Sequence, residues 1–136
     1  MSAGPPWGRL DHVALVVPDT DDALAIWRDL IGLPELFSEV VQNRTIRLTH
    51  LDLGATELQL VEPLVENHPL MTWIEQHGAG LHHLCFEVDD FDAVFDEGSM
   101  PLEPASQLPH EATLGRRAVF LDNGLTSAVI ELISRR

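Results

Sequence analysis

The sequence contains no lysine and no tyrosine, and it has a single cysteine, Cys85. One cysteine cannot form an intrachain disulfide framework or a cysteine-based zinc site. The eight basic residues are all Arg and face 22 acidic residues, so the formal net charge is −14. This charge disfavours nucleic-acid binding, which depends on neutralising phosphates, and it disfavours docking on an anionic membrane surface. We therefore expect neither a nucleic-acid partner nor a membrane partner.

Long hydrophobic runs are also missing. The longest aliphatic run, residues 13–17, ends at Pro18, whereas a membrane-spanning helix needs about 20 apolar residues. The first eight residues have neither the basic nor the apolar region of a signal peptide. We therefore expect a cytoplasmic protein, and the 136 residues predict one domain with a substantial core.

The hydrophobic pattern predicts strands interrupted by two helices. The first helix begins at Asp19 or Thr20 and ends at Gly32, and the second runs from Pro69 to about His77, before Gly78. At most a short helix is expected over 91–96, and residues 98–115 are expected to be mostly loop. Strands are predicted over residues 10–17, 36–41, 45–53, 56–62, 81–88, 117–122 and 126–134, the last two joined by a turn at Asn123-Gly124.

Two ordered matches reveal an internal repeat. The segment L-D-H-V-A-L-V-V-P-D at residues 10–19 aligns with L-H-H-L-C-F-E-V-D-D at 81–90, at an offset of 71. Further on, L-D-L-G-A-T at 51–56 aligns with L-D-N-G-L-T at 121–126, at an offset of 70. Chance similarity of short apolar segments is the alternative, but it does not explain two matches in the same order. We interpret the repeat as a duplicated βαβββ unit.

The repeat places four polar residues at equivalent positions. His12 aligns with His83, and Gln59 aligns with Glu131, each interrupting an apolar strand. Alternation along the first strand puts His12 with Ala14 and Val16 on the less apolar face, which we expect to line a concave cavity, while the opposite face meets the helices. Two imidazoles and two oxygen donors suit a divalent first-row metal and disfavour a closed structural zinc site.

Each of these residues has a simpler interpretation when taken alone, because a single histidine in a strand is more often a hydrogen-bonded core residue. His82 is excluded since its side chain points to the opposite face from that of His83. Cys85 is interpreted as a small core residue or a cavity residue. The remaining histidines have no repeat partner and are predicted to lie on the surface or in loops: His50, His68, His77 and His110.

The two histidine strands, together with E-L-Q-L-V-E-P-L at 57–64 and V-I-E-L at 129–132, resemble the vicinal oxygen chelate superfamily. This is the glyoxalase, bleomycin-resistance and extradiol-dioxygenase group, and within it the similarity is greatest to the methylmalonyl-CoA epimerases. The resemblance implies an α+β fold of two βαβββ modules, at about 9–64 and 80–134, in an open, cupped, eight-stranded mixed sheet around a metal. It places the metal ligands at His12, Gln59, His83 and Glu131.

The resemblance also implies a chemistry. The metal, one of Co, Mn, Ni, Zn or Fe, would bind the thioester carbonyl and stabilise the enolate formed when the C2 proton leaves. Glu131 is the candidate base, the substrate is a methylmalonyl-CoA-type thioester, and the family commonly forms homodimers. The substrate-binding residues are not identified by the resemblance. Four arginines are either a positive patch for the acyl-CoA or solvated strand-edge residues: Arg44, Arg47, Arg116 and Arg117.

Several positions depart from the epimerase pattern. The second module has a shortened helix and an altered loop over 98–115, and Leu48 stands where some members have a second carboxylate. These changes surround the substrate, so two alternatives stay open. One is a glyoxalase-like lyase or isomerase, and the other is a non-catalytic small-molecule binder of the bleomycin-resistance type.

Overall fold

The structure is a computed structural model that describes residues 7–98, 102–122 and 129–136. These residues form eight strands and two α-helices. The strands are β1 Leu10–Val16, β2 Glu35–Val41, β3 Ile46–Asp52, β4 Glu57–Pro63, β5 Gly80–Val88, β6 His110–Glu111, β7 Arg117–Leu121 and β8 Val129–Ser134. The helices are α1 Thr20–Leu24, which continues as a π-helical turn over Ala25–Leu30, and α2 Pro69–His77.

The chain divides into two compact units, which are described separately. The N-terminal unit comprises His12–His82, and the C-terminal unit comprises the described residues of Met1–Asp11 and His83–Arg136. In the N-terminal unit the strands lie in the order β2-β3-β4-β1. β1 is parallel to β4, whereas β2 with β3 and β3 with β4 are antiparallel pairs.

The first helix begins where the sequence predicts it. The Asp19 carboxylate accepts a hydrogen bond from a backbone N–H of the first turn at 3.0 Å, which satisfies one of the donors that a helix start leaves unpaired. Thr20 donates its backbone N–H and its hydroxyl to Glu62 Oε1 on β4, at 3.0 and 2.6 Å. The helix ends at Gly32, whose φ of 96° is easily adopted only by glycine. Its second half is a π-helical turn, which the periodicity did not predict.

Both faces of β1 pack against other elements of the N-terminal unit. Val13 and Leu15 share an apolar cluster with residues of α1, as predicted. Ala14 and Val16, on the face predicted to line a concave cavity, are both fully buried. They pack in a second cluster that includes Trp73 of α2. The connecting helix therefore packs on this face of β1.

The C-terminal unit repeats the strand order of the N-terminal unit, as β6-β7-β8-β5. β5 is parallel to β8, and the other two pairs are antiparallel. A single 3₁₀ turn over Asp92–Phe95 stands where the N-terminal unit has α1, in agreement with the predicted short helix. The described residues 102–115 are mostly loop, as predicted, with His110–Glu111 forming the edge strand β6 by pairing with β7.

The parallel strand pairs of the two units, β1 with β4 and β5 with β8, also have the same register. In the N-terminal unit the residue two positions after His12 lies opposite Gln59, as Ala14↔Gln59. In the C-terminal unit the residue two positions after His83 lies opposite Glu131, as Cys85↔Glu131. This identity supports the duplication inferred from the sequence. The predicted turn at Asn123-Gly124 and the predicted strand start at Thr126 lie outside the described residues.

A buried ion pair links the start of β1 to the start of β7 within the C-terminal unit. Arg116 Nη1 and Nη2 donate to the two carboxylate oxygens of Asp11, at 2.9 and 3.0 Å. The side chains are 5% and 0% exposed, and Arg116 Nε also donates to the carbonyl of Thr113 at 3.2 Å. Arg116 was expected either in a substrate patch or at a solvated edge, and both expectations were wrong because its charge is used internally.

The α+β class with two modules of this strand order is confirmed. The module limits at about 9–64 and 80–134, and the treatment of 1–136 as one domain, stay predictions. Across the described residues, neither helix has the length and apolar composition that would let it cross a membrane.

Candidate metal centre

Two of the predicted ligands meet in the C-terminal unit. His83 on β5 and Glu131 on β8 have their Nε2 and Oε1 atoms 3.2 Å apart. The β5–β8 pairing places Glu131 opposite Cys85, two residues beyond His83, so both side chains emerge on one face. An imidazole nitrogen and a carboxylate oxygen are thus brought together inside the protein, where an unpaired carboxylate is costly.

The other two predicted ligands belong to the N-terminal unit. His12 lies on β1 and Gln59 on β4, and both border the ring of His50 on β3. The His12 and His50 ring centroids are 5.7 Å apart, edge to face. Gln59 Nε2 lies 3.1 Å from His50 Nε2. All four predicted ligands are buried, with exposures of 1% for His12, 3% for Gln59, 5% for His83 and 4% for Glu131.

His50 itself was predicted to lie on the surface, and this was wrong. It is fully buried, its ring stacks on Phe37 at a centroid distance of 4.5 Å, and its Nδ1 lies 2.7 Å from Glu57 Oε1. The hairpin carried a signal that would have found it. A tight turn between Asp52 and Glu57 pairs these two residues, and counting back along both strands pairs His50 with Gln59.

His110 was also predicted as a surface or loop residue, and this was wrong. It lies on β6, its ring stacks on Phe120 at 4.8 Å, and its Nε2 is 2.6 Å from Glu131 Oε2. Its side chain is 26% exposed, against 5% for Glu131. The repeat could not reveal His110, because β6 is only two residues long and no histidine occupies the equivalent place in the other unit.

The remaining histidines have structural roles. His68 caps α2 by accepting the backbone N–H of Leu70 at Nδ1, at 3.1 Å, and burial lowers the pKa of His68. His77 is exposed at the other end of α2, as predicted. His82, excluded as a ligand, is buried and its ring meets Trp73 edge to face at 5.0 Å.

Cys85 is a core residue rather than an accessible thiol. It is fully buried in a cluster with Ala112, Ala118 and Ile133. Burial, reinforced by the negative charges of Glu131 and Asp11, raises the pKa of the Cys85 thiol well above its ordinary value. The four predicted ligands themselves offer nitrogen and oxygen atoms.

The surroundings of the predicted ligands differ from those of family members that have a second carboxylate near the metal. Leu48, which stands where some members of the family have a carboxylate, is buried in the apolar cluster that packs on α2. Of the arginines in the expected patch, Arg117 pairs with Asp92 at 2.7 Å and lies over the Phe91 ring. Arg47 donates to Ser38. An acyl-CoA phosphate would have to compete with these contacts.

Each unit therefore supplies one imidazole and one oxygen donor, buried on neighbouring parallel strands in the same register. These residues fit a divalent first-row cation, because such ions accept mixed nitrogen and oxygen ligands. A cation would also stabilise the buried carboxylate of Glu131 and the buried amide of Gln59, since buried polar groups are tolerated when they are paired or bind a metal. The donor set does not distinguish among Co, Mn, Ni, Zn and Fe.

The fold and the candidate ligands point to one superfamily, and a family model matches most of the chain. The chain belongs to the glyoxalase/bleomycin resistance protein/dioxygenase superfamily, whose model matches residues 11–120. The suspected superfamily membership is thereby confirmed.

Several relatives and solved structures are methylmalonyl-CoA epimerases. The mitochondrial methylmalonyl-CoA epimerase of Mus musculus is 33% identical over 125 residues, covering 88% of this chain and 69% of the mouse protein. The crystal structure of methylmalonyl-CoA epimerase from Mycobacterium tuberculosis is 26% identical, with a TM-score of 0.86, and the match covers 100% of this chain and 93% of that one. A variant of the Streptomyces coelicolor epimerase, in complex with 2-nitronate-propionyl-CoA, is 28% identical with a TM-score of 0.81 and 94% coverage of each chain.

Proposed function

We propose that this protein is a metal-dependent epimerase of methylmalonyl-CoA-type thioesters. The observation that carries the proposal is the pairing of His83 with Glu131 in one unit and the same register for His12 and Gln59 in the other. The mouse relative and the Mycobacterium tuberculosis neighbour, each matching most of the chain, are methylmalonyl-CoA epimerases. A structure of one such relative contains an acyl-CoA analogue, which supports an acyl-CoA ligand here.

In this proposal His12, Gln59, His83 and Glu131 hold one divalent cation. When bound, the cation would supply positive charge opposite the negative charge that develops on the thioester oxygen. Glu131 is the candidate base that removes the C2 proton, and its side chain is buried. His110 Nε2 lies 2.6 Å from Glu131 Oε2 and so orients the carboxylate.

Epimerisation also requires a proton to be returned to the opposite face of C2. Leu48 cannot supply it, because its side chain is apolar and packs in the core. We therefore propose that the return proton comes from solvent or from a group other than a second carboxylate at this position. Solvent return makes a direct prediction, since every turnover would then introduce one solvent hydrogen at C2.

The test measures deuterium incorporation at C2 of methylmalonyl-CoA in D₂O. The wild-type protein is compared after Co²⁺ loading and after chelation, alongside Glu131→Gln and the control Glu75→Gln, which alters an exposed carboxylate on α2. We expect exchange that needs the metal, is retained by the control and is lost by about 10²–10⁴-fold without the base. Absence of exchange in protein shown to hold stoichiometric Co²⁺ would refute the epimerase assignment and favour another superfamily activity.

The proposed assembly is tested separately. We propose a cytoplasmic homodimer, and the homodimer follows the family resemblance. Light scattering of the purified full chain measures the assembly, and a mass of one chain across the working concentration range would contradict the dimer.

A further inference from the structure

Gln59 presents a chemical problem that the other three candidate ligands do not. The two ends of its side-chain amide are unlike, since the oxygen has lone pairs and the nitrogen carries two hydrogens. Only the oxygen can bind a cation. A half-turn of the amide would place the N–H₂ group where the ligand atom belongs, and metal binding would be lost without any change of fold. Some neighbouring group must therefore select one orientation.

The hydrogen-bond partners of His50 make this selection. Glu57 Oε1 lies 2.7 Å from His50 Nδ1, where the carboxylate oxygen accepts a hydrogen bond from the imidazole N–H. A neutral imidazole protonated at Nδ1 has a lone pair at Nε2. That lone pair accepts from Gln59 Nε2 at 3.1 Å. The amide nitrogen is thus held at His50, and the amide oxygen points to the opposite side.

The ring of His50 is also fixed in place. It is fully buried, and Phe37, its partner across the β2–β3 pair, stacks on it with an interplanar angle of 14°. Because the ring cannot turn freely, the proton that Glu57 selects at Nδ1 determines which atom of Gln59 is held. The structure assigns to Glu57 and His50 the role of positioning residues that orient the Gln59 oxygen toward a cation. This inference rests on the proposed metal site.

The C-terminal unit provides an internal comparison. There the equivalent position holds Glu131, whose two oxygens are identical and need no selection. The residue opposite it is Phe120, whereas the residue opposite Gln59 is His50. The unit with an amide therefore has a histidine at this place, and the unit with a carboxylate has an aromatic hydrocarbon. We infer that His50 is required for metal binding because residue 59 is an amide, whose two ends differ.

This requirement can be tested by a double-mutant cycle in Co²⁺ affinity, measured by calorimetric titration of the metal-free protein. The four proteins are wild type, His50→Phe, Gln59→Glu and the double variant, which reproduces the Phe and Glu pairing of the C-terminal unit. We expect His50→Phe to weaken Co²⁺ binding by about 10–100-fold when residue 59 is Gln, as is typical for groups that orient a metal ligand. With Glu at 59 the same substitution should have little effect.

The cycle separates positioning from packing. If His50 only fills space, the substitution weakens Co²⁺ binding equally with Gln or Glu at position 59, and the inference is overturned. No loss in either background also overturns it. If wild-type protein itself fails to bind Co²⁺, the proposed metal site fails instead. Circular dichroism and thermal unfolding of the metal-free variants verify that each is folded.

A second measurement needs no metal and no substitution. The ¹⁵N chemical shifts of the His50 ring distinguish a protonated nitrogen from one with a lone pair, and we expect the proton on Nδ1. A proton on Nε2 would contradict the inference even if the metal site exists.

Glu57→Ala provides a milder variant that keeps His50 in the core. It should give a mixture of the two tautomers and an intermediate loss of Co²⁺ affinity, and an unchanged tautomer would count against the role of Glu57.

Discussion

Replacing Arg116 by Met should destabilise the protein more than any surface substitution of an arginine. The Asp11 carboxylate that it pairs with is fully buried, and Glu87 Oε2 lies 3.5 Å from Arg116 Nη1. Methionine keeps the aliphatic part of the side chain but removes the charge and every donor. Two acidic groups would then remain in the interior without the guanidinium that now bridges them.

The expected loss of stability follows from the buried charge that is left without a partner. Breaking a buried ion pair by removing one partner costs about 3–5 kcal/mol, because the other charge stays buried. For a chain of 136 residues, an unfolding entropy of about 2.1 cal/mol/K per residue converts this loss into a fall in Tm of roughly 10–17 °C. Arg136, whose Nε is 3.8 Å from Asp11 Oδ1, approaches the same carboxylate, so the lower end of the range is favoured.

The neighbouring arginine provides the matched control. Arg117 also forms an ion pair, with Asp92 at 2.7 Å, but its side chain is 53% exposed, and exposed pairs contribute at most about 1 kcal/mol. Urea unfolding of Arg116→Met and Arg117→Met should therefore differ clearly in midpoint at equal slope. Adding Asp11→Asn to Arg116→Met should recover part of the loss. Equal midpoints for the two arginine variants would refute the reasoning.

Three further predictions concern single side chains. Glu62→Ala removes the acceptor for both donors of the buried Thr20 and should cost about 1–3 kcal/mol in urea unfolding, whereas the exposed control Glu66→Ala should cost almost nothing. Because the pKa of Cys85 is raised by burial, a disulfide reagent should find no reactive thiol in the native protein and one in urea; rapid native labelling would contradict this. Burial lowers the pKa of His68, so its stabilising effect is present above the unfolded value of about 6.5 and is lost as the pH falls through the folded value. His68→Ser, which caps α2 without titrating, should reduce the fall in Tm between about pH 7.5 and 5.5, and an unchanged fall would argue against the cap.

Elements with strong local signals were predictable to within a residue or two. The second helix occupies Pro69–His77 as expected, since proline is favoured at a first helical position and Gly78, with φ of 79°, ends it. The strands of both hairpins were also predictable, because apolar alternation reports burial directly. The elements that the sequence did not predict depend on tertiary contacts. β6 has only two residues and exists only through its pairing with β7.

The candidate ligands were selected for a different reason, because each has a polar counterpart at the equivalent position of the other module. An alignment of the two modules selects polar residues that recur, and so it finds His12 with His83 and Gln59 with Glu131. It cannot find residues that serve one module alone. His110 belongs to this second group, and so does Arg116, whose partner Asp11 is 105 positions away along the chain.

The places where the modules differ are therefore as informative as those where they agree. Opposite the proposed oxygen ligand, one module has His50 and the other has Phe120. Our inference explains this difference by the proposed ligand being an amide in one module and a carboxylate in the other. Hairpin register, which the turn between Asp52 and Glu57 already implies, recovers this coupling without a structure. A change of Gln59 to Glu should accordingly relax the need for a histidine at position 50, so the two positions have to be interpreted together.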